Sequence, residues 1–184
     1  MSYTTPGDFE LVTAPVAPVL QTCDLRRYLR LTGTEDDLLL AGWQEAAVEY
    51  IETECRRQLV SATWKLKLDC FPSVIDVRKL PVSSVTSIRY IDTAGDWQTL
   101  SASDYETDLT HTPAQIRPVY NGSWPSTRSE NNAVEVNFIA GYGTPDDVPQ
   151  IAKQIIYLMV NSSYNGCEYP DAVVDLMTKL YWGA

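Results

Sequence analysis

Residues 34–72 read TEDDLLLAGWQEAAVEYIETECRRQLVSATWKLKLDCFP, a helical repeat that gives way to a strand repeat with almost no chain between them. Leu39, Trp43, Ala46, Ala47, Tyr50, Ile51 and Cys55 recur at the spacing of one face of an α-helix. Thr34 is placed to cap that helix, and Glu35, Asp36 and Asp37 load its positive end. Arg56 and Arg57 would occupy its last turn, where cations suit the helix dipole. Trp64, Leu66, Leu68 and Cys70 then alternate with Thr63, Lys65, Lys67 and Asp69, as in an antiparallel strand buried on one face. This segment can therefore join a helical bundle to a sheet.

On the N-terminal side, residues 1–20 carry Pro6, Pro15 and Pro18, which forbid a continuous helix and predict an extended arm. A short helix is expected over residues 23–31, capped by Thr22 and closed at Gly33. On the C-terminal side come β-type runs. Residues 74–77 and 79–82 read as a short return. Residues 84–92 and 97–100 read as a hairpin around Gly95, and residues 105–108 and 115–119 as a second around His111. Val134, Val136 and Phe138 alternate in a last strand. Thr144, Pro145, Asp146 and Asp147 then signal a helix start ahead of the apolar positions Val148, Ile151, Ala152, Ile155, Ile156 and Met159. Gly166 ends that helix and Pro170 opens a final one.

Helices, then grouped strands, then helices predict an α+β fold. The N- and C-terminal helices, residues 21–58 and 144–184, form a bundle that bears an inserted, mostly antiparallel β-rich subdomain, residues 59–143.

Composition excludes several functions. The 184 residues carry 14 Lys and Arg against 24 Asp and Glu, a formal charge of −10, which argues against a DNA-coating surface. No apolar run approaches the ~18–20 residues of a membrane span, and the N-terminal residues lack signal-peptide character, so synthesis in the cytoplasm of the producing cell is expected. Cys23, Cys55, Cys70 and Cys167 lack the paired spacing of a zinc site and read as buried free thiols. The single His, His111, sits at a hairpin tip rather than beside a nucleophile. The Gly141-Tyr142-Gly143 turn lacks the third Gly and the Lys-Ser/Thr of a phosphate loop. No cofactor or metal is expected. Glu45, Glu49 and Glu52 share a helix face, and without a His partner they read as a solvated or subunit-facing surface.

In order along the chain, AAVEYIE (46–52), RQLV (57–60), TWKLKLDCFP (63–72), LPVSSVTSI (80–88), DY (104–105), IRP (116–118), SWP (123–125), VNFIAGYG (136–143) and VPQIAKQ (148–154) resemble the head–tail connector, or adaptor, proteins of tailed bacteriophages. The likeness runs over about residues 22–182, and its specificity lies in the order of the pieces. The chain differs from the family pattern in its longer proline-rich arm and in Asn165-Gly166-Cys167-Glu168, which replaces a more basic stretch.

The resemblance implies a non-enzymatic virion protein at the head–tail interface: a dodecameric ring that joins the capsid portal to neck or tail-side proteins. DNA would pass through its channel without sequence-specific binding, and no membrane is involved. An acidic wall would keep the DNA backbone from sticking. Glu45, Glu49, Glu52, Arg56 and Arg57 are then expected to face a neighbouring copy or the lumen. Trp124 is a further contact candidate, and Leu180, Tyr181 and Trp182 an apolar plug for the portal. The arm and the C-terminal segment are expected to order only on assembly. Two other readings stand beside this one. A hydrolase would use Glu45, Glu49 or Asp147 and need them in a shared pocket; a peptide-binding module would need an apolar cleft on the sheet.

Overall fold

The computed structural model describes residues 7–182, and side chains for residues 7–181. Residues 1–6 of the arm and the Trp182 side chain lie outside the described residues. The fold is α+β. The chain divides into two compact units: residues 1–14 with 62–141 hold the strands, and residues 15–61 with 142–184 hold the helices.

In the β unit, a five-stranded sheet is built around β8 (Val134–Ala140), flanked by β2 (Ala62–Leu68) and β4 (Val82–Ile91). The edges are β1 (Asp8–Thr13) and β5 (Trp97–Thr99), giving the order β1-β2-β8-β4-β5. All its pairings are antiparallel. The expected alternation holds in register: Leu66 faces Val136, Trp64 faces Phe138 and Leu68 faces Val134. The inward residues Val134, Val136, Phe138 and Ala140 are fully buried. The outward ones form a charge ladder in which Lys65 reaches Glu135 at 3.4 Å and Lys67 reaches Glu10 at 2.8 Å. Bulges near Val82 and Val85 break strict alternation in β4.

Residues 74–82 do not fold back on themselves. β3 (Ile75–Val77) instead pairs with β7 (Ala114–Pro118), which pairs with β6 (Tyr105–Asp108), making a second, three-stranded sheet. Ile75, Val77, Ala114 and Ile116 join the β8 face in one apolar cluster. A one-strand return cannot bury Ile75 and Val77; pairing with β7 does, and each such side chain contributes roughly 1.5–3 kcal/mol.

Residues 8–13 of the arm form an ordered edge strand on β2, so they need no assembly partner to order. Phe9 lies edge-on to Phe138 at 6.2 Å between ring centroids.

In the helical unit, α1 (Thr22–Leu29), α2 (Asp37–Glu54), α3 (Gln150–Asn165) and α4 (Asp171–Trp182) share one core. Helix α1 is closed by Arg30 in the left-handed conformation, whose N–H reaches the carbonyls of Arg26 and Arg27, rather than at Gly33. Helix α2 starts at Asp37, not directly after Thr34, and ends at Glu54, which leaves Arg56 and Arg57 beyond it. Arg56 adopts a positive φ of 51°, which turns the chain out of the helix.

The buried stripe of α2 is Leu40, Gln44, Ala47, Ile51 and Cys55. Leu39 and Tyr50, expected in the core, are 55% and 44% exposed. Both expected and observed stripes fit the helical period; the fold buries the one that faces α3. Thr144, expected to start the long helix, instead forms a capping box with Asp147 that opens a short 3-10 turn (Pro145–Asp147), and α3 begins only after Pro149. Gly166 ends α3 in the left-handed region, as read. Helix α4 is packed within this unit through Val173 and Leu180, so it too is ordered without a partner. Of the four thiols only Cys55 is buried; Cys23, Cys70 and Cys167 are exposed because their positions fall on a helix surface and in loops.

Candidate functional site

The side chains singled out in the sequence do not converge on one place. Glu45 and Glu49 are exposed on the outer side of α2 and make no hydrogen bond or ion pair with any described residue. Glu52 differs. Its Oε1 accepts from Gln58 Nε2 at 2.8 Å and from the Leu59 N–H at 2.9 Å, so it holds the turn that follows the helix.

Arg57 is not a surface residue. It is 4% exposed, and it donates from Nη1 to the Tyr142 hydroxyl at 3.2 Å and from Nη2 to the Tyr181 carbonyl at 3.1 Å. A buried guanidinium demands such partners. Burial raises the Tyr142 phenol above its ordinary value, and the neighbouring guanidinium opposes that shift.

Leu180 is likewise internal, at 2% exposure, because its position on α4 falls in the core that the helices share. It cannot serve as an exposed plug. Tyr181 keeps 42% of its surface open. Trp124 stacks on Phe71 at 4.7 Å with an 8° tilt and packs against the β-unit core.

Asp147 is held by Thr144 in the capping box, and the Thr144 hydroxyl lowers its carboxyl below the ordinary range. No hydrogen bond among the described residues joins it to Glu45 or Glu49. No group of three His, Cys, Asp or Glu among the described residues could hold a metal ion. The Gly141-Tyr142-Gly143 amides are also occupied: Gly141 N–H donates to the Pro81 carbonyl and Tyr142 N–H to the Leu59 carbonyl. Gly143 has φ 128° and leaves no room for a Cβ beside Asp147 Oδ2, at 2.6 Å, so the glycine there serves the turn.

Between α2 and α4 runs an open groove of about 260 Å³, lined by Tyr50, Glu54, Cys55, Val174, Met177, Thr178 and Tyr181. Val174 is 68% exposed. Cys55 Sγ lies 3.7 Å from the Met177 carbonyl at its floor, and burial raises that thiol's pKa. Of the expected apolar stripe of α2, Tyr50 lines the groove, whereas Trp43 lies edge-on to Tyr164 of α3 at 6.0 Å. A sequence signal for the groove existed: the apolar positions of α2 cover two adjacent stripes, wider than one packing partner needs. One acid, Glu54, lies among the aromatic and apolar side chains that line the groove.

No family model matches the chain, and no curated protein matches it. Solved structures do. A chain from the neck of an empty gene transfer agent particle, computed with C6 symmetry, superposes with a TM-score of 0.79 at 24% identity over 94% of both chains. A chain from the virion of a native gene transfer agent particle gives 0.77 at 24% identity over the same shares. A chain from the native neck computed with C12 symmetry gives 0.76 at 22% identity, again over 94% of each. The protein shares its fold, nearly end to end, with these particle chains.

Proposed function

We propose that the protein is a structural component of a phage-like virion neck, a ring-forming adaptor between the capsid portal and the neck or tail proteins, with a DNA channel through its centre. One observation carries this reading: both structural units are matched together over 94% of the chain by proteins of particle necks and virions. The C6 and C12 symmetries of those neck reconstructions support a ring of copies. The charge of −10 suits a wall that DNA passes without binding.

On this reading the β unit and the bundle act as rigid parts, and the work of the protein is geometric. It matches a portal surface on one side and a tail-side surface on the other, and the apolar groove between α2 and α4 supplies contact area. Deleting the gene from the producing genome tests the proposal. Filled heads without tails, restored to complete particles by the gene in trans, are expected. Normal tailed particles from the deletion would overturn it.

A further inference from the structure

Two flanks of the helical unit are complementary. The first is the α2–α4 groove, where Tyr50, Val174 and Tyr181 lie exposed. Glu54 lines it, and Asp171 stands one turn before Val174 on α4. Neither acid has an ion pair among the described residues. The second flank is formed by α1 and α3. There Tyr28 and Tyr157 stack with ring centroids 4.7 Å apart, and Tyr28 stays 41% exposed. Arg30 follows the end of α1 without a carboxylate partner among the described residues. Lys153, one turn before Tyr157, donates only to the main-chain oxygen of Asp146. Asp24, beside Tyr157, is paired with Arg27 at 3.1 Å, Asp147 lies near Lys153, and Asp175 on α4 is paired with Lys179 at 2.8 Å. Of the charges without an ion pair among the described residues, Glu54 and Asp171 make the first flank acidic, and Arg30 and Lys153 are the cations of the second.

The flanks lie on different sides of α2. Asp37, paired with Arg26 of α1 at 3.1 Å, precedes the buried Leu40 by three residues; Glu54, in the groove, follows the buried Ile51 by three. At ~100° per residue these offsets point about 60° to opposite sides of the α2 core stripe. Helices α1 and α4 therefore flank α2 on opposite sides.

From this we infer that the α2–α4 groove of one copy receives the α1–α3 flank of the next, a head-to-tail seam that repeats from copy to copy. The occupant is a second copy of this chain. Tyr28 enters beside Tyr50 and Val174, and Arg30 and Lys153 meet Glu54 and Asp171. A heterologous contact between different flanks propagates, and closes into a ring when the rotation per copy closes, whereas a self-complementary patch would stop at a dimer. The seam rests on the ring reading above, and it moves the subunit contact from Glu45 and Glu49 to the apolar stripe beside them.

The test uses two variants of the full chain: Tyr28→Asp with Arg30→Asp, and Tyr50→Asp with Val174→Asp. All four side chains are exposed, and thermal melts matching wild type establish that the variants fold. Samples are treated with a carbodiimide, which joins carboxylates to amines in contact, and sized by mass photometry. Wild type is expected to give a ladder beyond dimers, each variant alone monomers, and their equimolar mixture dimers that grow no further. Variants that ladder like wild type would overturn the seam and leave the ring reading standing. A wild-type chain that stays monomeric throughout would overturn both.

Discussion

Arg57 Nη2 donates to the main-chain oxygen of Tyr181 across 3.1 Å, tying the residue beyond α2 to the last turn of α4. A sequence reading puts this arginine on the helix surface; the fold uses it to anchor the C-terminal helix. Arg57→Ala is expected to cost about 2–3 kcal/mol, since a charged double donor is lost and the Tyr142 hydroxyl is stranded. Lysine should not restore the loss, because a single ammonium lacks the planar fork that reaches both partners. Urea melts give the loss, and amide exchange should localise it to α4.

The two α2 stripes should separate in mutagenesis. Leu40, on the buried stripe, should lose roughly 2–5 kcal/mol on truncation to Ala. Leu39→Ala, on the open stripe of α2, should stay within about 0.5 kcal/mol in the isolated chain. A large loss at Leu39 would mean that the open stripe is already covered in the monomer.

Gly7 sets how closely β1 approaches β2. A Cβ there would meet the Leu66 side chain and lie 2.6 Å from the Lys67 carbonyl, so Gly7→Ala must push the strand away. An overpacked contact of this kind costs about 1–3 kcal/mol. Amide exchange of residues 8–13 should speed up while β2 and β8 keep their protection.

Acid should loosen the loops before the core. Asp92 is lowered from an ordinary 3.8, first by the Gln98 side-chain amide and then by the N–H groups of its own turn. Asp108 is lowered by the Thr110 hydroxyl and Asp147 by that of Thr144. Carboxyls with depressed folded-state pKa values contribute stability that is complete above their unfolded value and lost as pH falls through the folded one. Melting temperature should therefore hold flat from neutrality to about pH 5 and drop below about pH 4. Asp92→Asn, which keeps an acceptor without titrating, should shrink that drop.

Much of the β unit could be read directly. Leu66, Leu68, Val134, Val136 and Phe138 alternate because one face is buried, and period-two patterns carry that information locally. The partner of Ile75 and Val77 could not be read, because β3 pairs with a strand far along the chain. The helices were readable in place and end but not in orientation. Leu39 and Leu40 both suit an apolar stripe, and only the position of α3 decides which is inside. The contact surface followed the same limit. Exposed acids such as Glu45 are conspicuous in a sequence, whereas an open apolar groove exists only after α4 has packed beside α2. Arg57 reads as a surface residue because its partners, Tyr142 and Tyr181, lie far along the chain.

The most direct measurement of the central claim is cryo-electron microscopy of the tail vertex in purified particles of the producing strain. The account predicts a ring of density between portal and tail, fitted by copies of this fold, with α1 of each copy against the α2–α4 groove of the next. Particles that lack the chain, or hold it away from the neck, would contradict it.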